Sequence, residues 1–197
     1  MQQVYPAWFH RWPEAEEQAQ TLRWYEPLLI PGLLQTEEYA RAVLRGAQPD
    51  ATDERIDEQV RARLQRQEVL LKDDPPHLWC VLDEGVVHRC IGGRDIMHEQ
   101  LAHLVRMTKH SRTSVQVIPF EAGAHAGLLA HFAIAEVDGQ RDTVYLETAT
   151  VGQVIEMPPV IAQASVVFDT LRSLALPGSA SLDLIMKVAE TEWMTAD

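Results

Sequence analysis

The spacing of apolar residues predicts helices towards both ends of the chain and strands mainly in its second half. Six segments carry apolar residues at helical spacing, and their predicted starts are Pro13, Thr36, Thr52, Asp95, Pro158 and Ser179 or Ser181. Six other segments are apolar throughout or alternate with polar residues, and they predict strands at 77–82, 86–90, 114–118, 128–137, 143–147 and 152–157. This order predicts a mixed α/β (α+β) domain with a largely antiparallel sheet, an N-terminal helical cap and two C-terminal helices.

The segment 28–41 joins the predicted cap to the sheet. Its apolar run reaches Pro31 and Gly32, where proline fixes its own φ and glycine can adopt a positive φ. Thr36 then predicts a helix N-cap, and the two glutamates that follow it favour the positive end of the helix dipole. We interpret the segment as a buried turn into a helix, with a structural role, and expect any pocket between the cap and the sheet.

Composition excludes several classes of protein. Acidic residues outnumber basic ones 29 to 17, which gives a net charge of −12 and argues against direct nucleic-acid binding by this chain. No apolar stretch has the length of a membrane span, and the N-terminus lacks a signal segment. The only two cysteines, Cys80 and Cys90, have no metal-like spacing, so we expect a reduced protein in the cytoplasm.

A charged, proline-ended stretch at 72–76 predicts an internal boundary. Residues 1–72 would form a helical N-terminal subdomain, in which Pro13 opens a helix that carries Ala15, Ala19 and Leu22 inwards. Residues 73–197 would form a mixed α/β subdomain. At this length we expect the two to pack as one domain.

Aromatic residues are concentrated near the N-terminus. Rigid rings bury much area at little entropic cost, so they could line a ligand pocket, although a role in covering the core or meeting a neighbour is favoured. The aromatic candidates for ligand binding are Trp8, Trp12, Trp24, Tyr25 and Trp79.

Polar candidates lie at strand ends and in loops. Carboxylates beside a glycine at Asp83-Glu84-Gly85 are suited to the mouth of a site, and His125 lies in a loop between two glycines. The polar candidates for ligand binding are Glu84, His88, His125, Tyr145 and Glu147. In an enzyme, Glu84, His125 and Glu147 would be the candidates for acid–base catalysis.

Short catalytic and cofactor motifs are absent from the sequence. His98 and His103 are one residue too far apart for the HExxH zinc arrangement, and no phosphate loop, dinucleotide fingerprint or nucleophile elbow occurs. We therefore expect no metal site and no cofactor. The absence of such motifs favours binding over catalysis.

Long stretches of the chain resemble a known family. They are EPLLIPGLLQTEEYARAVLRG at 26–46, VRARLQRQEVLLKDDPPHLWCVLDEGVVHRCIGG at 60–93, QLAHLV at 100–105, SVQVIPFEAGAHAGLLAHFAIAE at 114–136 and TVYLET at 143–148, followed by the predicted helix at 168–176. They resemble the antitoxin-like domain of unknown function that follows an Xre-type helix-turn-helix in actinobacterial transcriptional regulators.

The resemblance implies a role in transcription regulation. In such proteins the helix-turn-helix contacts DNA, and this sequence carries no such motif, so the resemblance implies the sensing half of a regulator. By analogy, its partner would be a small-molecule effector, a small protein or a second copy of the chain in a homodimer.

Three functions follow from these observations. The first is a regulatory domain that binds an effector or a partner. The second is a stand-alone copy whose sensing pocket has become the active site of a small-molecule enzyme, which predicts that Glu84, His125 or Glu147 approach one another. The third is a protein–protein module with an exposed aromatic surface at Trp8 and Trp12.

Overall fold

A computed structural model of the protein describes residues 11–109, 112–129, 131–148 and 151–194. Among these residues the strands are β1 (Thr21–Glu26), β2 (His77–Asp83), β3 (Thr113–Ile118), β4 (Phe132–Glu136), β5 (Thr143–Glu147) and β6 (Gly152–Ile155). The α-helices are α1 (Arg11–Gln18), α2 (Glu37–Ala47), α3 (Asp53–Gln67), α4 (Gly85–His88), α5 (Arg94–Thr108), α6 (Pro158–Leu174) and α7 (Gly178–Val188). Single turns of 3₁₀-helix occur at Gly32–Leu34, Glu68–Leu71, Phe120–Ala122 and Ala126–Leu129, and a π-helical turn follows α7 at Ala189–Trp193.

The six strands form one mixed sheet in the order β3-β2-β1-β4-β5-β6. β1, β2 and β3 run parallel to one another. The pairs β1–β4, β4–β5 and β5–β6 are antiparallel, so antiparallel pairing is in the majority. The predicted α+β fold with a largely antiparallel sheet is confirmed.

Helices cover both faces of the sheet. On one face, Leu22 and Trp24 of β1 join a large apolar cluster with residues of α1, α5 and α7. On the other face, Tyr25 packs in a smaller cluster with Phe168 and Leu171 of α6. Successive residues of a strand point to opposite faces, so β1 supplies both clusters.

The first element differs from the sequence prediction. The helix that starts the described chain ends at Gln18, and Leu22 lies in β1 between β2 and β4. Residues 21–26 are central in the sheet, and all but two of them are buried. Pairing with a strand on each side therefore outweighs the weak helical spacing of the segment. The predicted division into residues 1–72 and 73–197 stays a prediction.

The predicted strand at 86–90 is also wrong. Residues Gly85–His88 form the four-residue helix α4, in which Val86 and Val87 are both buried. The Asp83 carboxylate accepts a hydrogen bond from the Gly85 N–H at 2.9 Å, which turns the chain at the end of β2. A short apolar pair alone does not distinguish a buried helical turn from a strand.

The corner at 28–41 has the predicted structure. Leu33 and Leu34 are buried, and the Thr36 hydroxyl accepts a hydrogen bond from the Tyr39 N–H as an N-cap of α2. The buried Gln100 of α5 accepts from the Thr36 N–H and donates to the Leu34 carbonyl, each at 2.7 Å. These two bonds attach the corner to α5.

Among the residues that the structure describes, none of the helices combines the length and the apolar character required to cross a membrane.

Candidate functional site

The topology gathers polar residues at one edge of the sheet. Because β1, β2 and β3 are parallel, their C-terminal ends lie together at this edge, which we call the carboxyl edge. β4 is antiparallel to β1 and starts here, while β5 is antiparallel to β4 and ends here. The ionisable residues that contact one another at this edge are Glu26, Asp83, Glu84, His88, His125, His131 and Glu147.

Three of these residues form a row across neighbouring strands. The register pairs Tyr25 with Phe132 and Phe132 with Leu146, so the next residues towards the edge are Glu26, His131 and Glu147. His131 Nδ1 lies 3.1 Å from Glu26 Oε1, and His131 Nε2 lies 3.1 Å from the Glu147 carbonyl oxygen. The histidine therefore connects the end of β1 to the end of β5.

The row is partly buried, and this affects the charge of His131. Glu26 is only 7% exposed, whereas His131 and Glu147 are half-buried. Burial acts to lower the pKa of His131, but the Glu26 carboxylate, through its hydrogen bond and charge, and the negative charge of Glu147 outweigh burial and raise it. The protonated imidazolium then bonds a carboxylate on one side and a carbonyl on the other.

Aromatic rings pack directly beneath the row. Trp24 and Tyr145 lie on either side of the small Ala133 in the register, and Trp12 stacks on Tyr145 with ring centroids 5.1 Å apart. Trp12 also meets Trp24 edge to face at 5.8 Å. We call this set the tryptophan-side cluster, and its members are Trp12, Trp24, Glu26, His131, Tyr145 and Glu147.

Hydrogen bonds connect the rings to the row. The Trp24 indole N–H donates to Glu26 at 3.1 Å, and the Tyr145 hydroxyl donates to Glu147 at 2.8 Å. Burial raises the pKa of Tyr145, and the negative charge of Glu147 and the hydrogen bond to it raise this pKa further, so the hydroxyl remains a donor. The carboxylates are thus held in fixed positions.

A buried ion pair fixes the helix that carries Trp12. Arg66 of α3 donates two hydrogen bonds to the Glu16 carboxylate, at 2.9 and 2.7 Å. Both side chains are largely buried, at 13% and 3% exposure. A groove of about 390 Å³ lies beside this pair and is lined by residues of α1, α3 and the turn after α3, including Pro13 and Lys72.

The opposite face of the carboxyl edge holds a second group, which we call the tyrosine-side cluster: Tyr25, Asp83, His125 and Gly127. His125 Nε2 lies 3.4 Å from Asp83 Oδ2, and the His125 ring meets the Tyr25 ring edge to face at 6.3 Å. The Tyr25 hydroxyl and His125 Nδ1 are buried and have no hydrogen-bond partner among the residues that the structure describes. Gly127 packs so closely on Tyr25 that a Cβ there would overlap the tyrosine ring.

A third contact group lies in the loops beyond β2 and β3. Glu84 accepts a hydrogen bond from the Phe120 N–H at 2.6 Å, and its other oxygen lies 3.4 Å from His88 Nε2. His88 Nδ1 lies 2.9 Å from the Glu192 carboxylate, and the His88 ring stacks on Phe120. These contacts attach α4 to the π-helical turn after α7.

The structure places most predicted site residues at the carboxyl edge, but in separate groups. Trp8 lies outside the described residues. Trp79 lies away from the edge, where its ring stacks with the Arg172 guanidinium of α6 at 4.0 Å. The three candidate catalytic residues have different partners: Glu84 contacts His88, His125 contacts Asp83, and Glu147 contacts Tyr145.

Two central residues of the site were missed by the sequence prediction. No strand is predicted before residue 27, so Glu26 is missed. The alternation of the apolar residues Leu22 and Trp24, followed by a glutamate, is a sequence signal that could have predicted a strand ending at Glu26. His131 falls inside the predicted strand at 128–137, whereas β4 begins at Phe132, so His131 is the residue just before the strand. Asp83 was noted at the mouth of a site, but its pairing with His125 depends on a loop whose course the sequence does not predict.

The two cysteines lie in different environments. Cys80 is buried, and burial raises the pKa of its thiol well above the ordinary value, whereas Cys90 is exposed. Among residues 11–109, 112–129, 131–148 and 151–194, histidine, cysteine, aspartate and glutamate form no group of three that could hold a metal ion.

These features define a class: an α+β domain with a mixed sheet whose carboxyl edge carries ionisable and aromatic side chains on both faces. The family described as "Domain of unknown function (DUF5753)" matches residues 9–187, which is nearly the whole chain. The chain belongs to this family. No curated protein matches it.

Proposed function

We propose that this chain is a regulatory domain that binds a small-molecule effector or a small partner protein at the tryptophan-side cluster. The proposal follows the resemblance to the sensing half of actinobacterial regulators of the Xre helix-turn-helix type. In this proposal, DNA contacts belong to a helix-turn-helix, and this domain supplies recognition of the signal. It works in the cytoplasm without binding nucleic acid or membrane directly, and a second copy of the chain in a homodimer is an alternative partner.

The observation that supports the proposal is the row of Glu26, His131 and Glu147 above three aromatic rings. The row is held by hydrogen bonds from Trp24 and Tyr145, so a ligand meets carboxylates that are already in position. Among the described residues, neither Glu26 nor Glu147 forms an ion pair with a lysine or arginine. Glu26 and Glu147 face at most one positive charge, that of His131, so the row keeps a net negative charge, which favours a ligand with a positively charged group.

The alternative function, an enzyme that uses Glu84, His125 and Glu147 as acid–base groups, has less support. Its expectation was that these side chains approach one another, whereas each has a separate partner at the edge. A shared reacting atom needs groups within hydrogen-bond reach of the same position.

The test uses benzylammonium as a cationic aromatic probe and phenylacetate as its anionic counterpart. We expect isothermal titration of the purified chain to detect benzylammonium but not phenylacetate. Glu26→Gln should weaken benzylammonium binding about tenfold, because a charge-assisted contact is lost. Added salt should weaken the binding as well, since the attraction between charges is screened.

Glu136→Gln is the matched control. It removes the same charge at the opposite end of β4, where Glu136 pairs with Arg23 at 2.6 Å. Its affinity for benzylammonium should equal that of the wild type. Equal affinity in Glu26→Gln and the wild type, or the absence of benzylammonium binding, would contradict the proposal. Native mass spectrometry of the protein purified from its host would then distinguish a bound small molecule from a bound small protein.

A further inference from the structure

Two polar atoms of the tyrosine-side cluster are buried without a hydrogen-bond partner in the described part of the chain. Tyr25 is fully buried, and its hydroxyl is unpaired. The His125 side chain is 3% exposed, and its Nδ1 is unpaired. Burying a polar atom without a partner costs free energy, and most buried polar atoms in folded proteins are paired. Two such atoms on neighbouring rings are therefore an unusual feature.

The chemistry of the two atoms is complementary. His125 Nε2 faces the Asp83 carboxylate, which only accepts hydrogen bonds, so a neutral ring carries its proton on Nε2 and leaves Nδ1 as an acceptor. Asp83 is itself held by the Gly85 N–H. Burial, followed by the negative charges of Asp83 and Glu26, raises the pKa of Tyr25, so its hydroxyl stays protonated and can donate. The cluster thus offers one donor and one acceptor.

The surroundings disfavour a charged ligand. The side chains that share this face of the sheet are Val81, Ile118, Phe132 and Phe168, all buried and apolar. An ion buried there would need a counter-ion, and the Asp83 carboxylate is already engaged by Gly85 and His125. An anion would also be repelled by Asp83. A hydroxyl or a primary amide, by contrast, both donates and accepts without charge.

We propose that the tyrosine-side cluster is a second binding site, which takes an uncharged ligand with a hydroxyl or primary amide group on an apolar body. The polar group of the ligand accepts from the Tyr25 hydroxyl and donates to His125 Nδ1. The site is distinct from the one in the proposed function, because it lies on the opposite face of the sheet and selects against charge.

The segment 120–129 closes this site. It consists of two single turns of 3₁₀-helix, Phe120–Ala122 and Ala126–Leu129, and carries His125 between them. Gly127 lies against the Tyr25 ring, while Leu128 and Leu129 are 55% and 91% exposed on its outer side. Binding at this site therefore requires the segment to move away from Tyr25.

Benzamide is the probe for this site, and benzoate and benzylammonium are its charged counterparts. We expect ligand-observed NMR to detect benzamide binding with millimolar affinity, as is typical of a ligand this small. Tyr25→Phe should weaken that binding about 3- to 10-fold, the effect of one lost hydrogen bond. The same variant should unfold at the same or a higher temperature than the wild type, because it removes an unpaired buried hydroxyl. A purely structural hydroxyl would not give this combination.

Tyr39→Phe is the matched control. Tyr39 is also fully buried, but its hydroxyl accepts a hydrogen bond from the Ile30 N–H at 3.3 Å. This variant should lower the unfolding temperature and leave benzamide binding unchanged. His125→Leu provides a second variant, which should weaken benzamide binding by removing the acceptor.

Three outcomes would overturn the inference. The first is undetectable benzamide binding, or equal binding by Tyr25→Phe and the wild type. The second is a lower unfolding temperature in Tyr25→Phe, which would show that an internal water already pairs the hydroxyl. The third is binding of benzoate or benzylammonium that Tyr25→Phe weakens as strongly as it weakens benzamide. Because benzylammonium binding at Glu26 is measured separately, either proposal can fail while the other stands.

Discussion

The two faces of the carboxyl edge differ in how many of their buried polar atoms have hydrogen-bond partners among the described residues. On the tryptophan side, the Trp24 N–H, both nitrogens of His131 and the Tyr145 hydroxyl all have partners, and the Trp12 N–H is the exception. On the tyrosine side, the hydroxyl of Tyr25 and one nitrogen of His125 have no partner within residues 11–109, 112–129, 131–148 and 151–194. The first cluster holds two carboxylates and is partly open to solvent at His131 and Glu147, whereas the second holds the single carboxylate of Asp83 and buries Tyr25 and His125 beside apolar side chains.

The contrast arises within three consecutive residues of one strand. Trp24 and Glu26 point to one face of the sheet and Tyr25 to the other, because side chains alternate along a strand. The same edge can therefore hold two chemically different environments without any insertion. On the tryptophan side, hydrogen bonds hold the carboxylates in place for a charged group. On the tyrosine side, a ligand can supply the hydrogen bonds that Tyr25 and His125 lack among the described residues.

The largest expected effect tests the packing of Trp12 beneath the tryptophan-side cluster. Trp12→Ala removes a fully buried ring that contacts both Trp24 and Tyr145. We expect the free energy of unfolding to fall by about 3–5 kcal/mol, measured by urea denaturation. Where the variant remains folded, benzylammonium binding should weaken and benzamide binding should not. A loss below about 1 kcal/mol would show that the ring is not part of the core.

The next effect tests the closure of the tyrosine side. Gly127→Ala places a methyl group where the Tyr25 ring lies, so the segment or the ring must move. We expect a loss of about 1–3 kcal/mol in the free energy of unfolding. Gly46→Ala is the control, since a Cβ at this position in α2 meets nothing within 4 Å and should be neutral or stabilising. Equal stability of the two variants would contradict the close packing of Gly127 on Tyr25.

A smaller effect distinguishes the two sides by pH. The pKa of His131 is raised above its ordinary value of 6.5, because Glu26 and Glu147 outweigh burial. Its stabilising contribution is therefore complete below pH 6.5 and is lost as the pH rises through the folded-state pKa. His131→Gln should cost about 1–2 kcal/mol at about pH 5.5 and less at about pH 8, in urea denaturation at both values.

The control for this prediction lies on the tyrosine side. Tyr25→Phe should change the free energy of unfolding by the same amount at both pH values, because the tyrosine hydroxyl stays protonated throughout this range. A cost of His131→Gln that is independent of pH, or greater at the higher pH, would show that the histidine is neutral in the folded protein.

The smallest effect compares two tyrosine hydroxyls directly. Tyr145→Phe removes a donor that bonds Glu147 at 2.8 Å, so we expect a loss of about 0.5–1.5 kcal/mol in the free energy of unfolding. Tyr25→Phe removes a hydroxyl that has no partner among the described residues, so it should cause no loss. Matched denaturation curves of the two variants test the contrast between the faces. Equal losses would falsify it.

Many individual residues of the site could be predicted from the sequence, but which of them contact one another could not. Tyr145 and Glu147 were found because both end a strand whose predicted bounds are those of β5. Glu84 and His88 were found at the end of β2, and they do contact each other. The missing partners were Glu26, whose strand was not recognised, and His131, which lies just before β4. The sequence around a histidine does not predict which carboxylate it will contact across a sheet.

The sequence by itself determined the class of fold, the capped corner after Pro31 and the identity of most residues at the edge. These depend on local spacing, turn chemistry and capping, which act over a few neighbouring positions. Only the tertiary structure decided that residues 21–26 form the central strand, and that adjacent residues of this strand serve opposite faces of one edge. Those outcomes depend on strand pairing between segments more than fifty residues apart, such as Tyr25 with Val81 and with Phe132. Pairing selects the arrangement that buries the most side chains at once, so a single segment cannot reveal it.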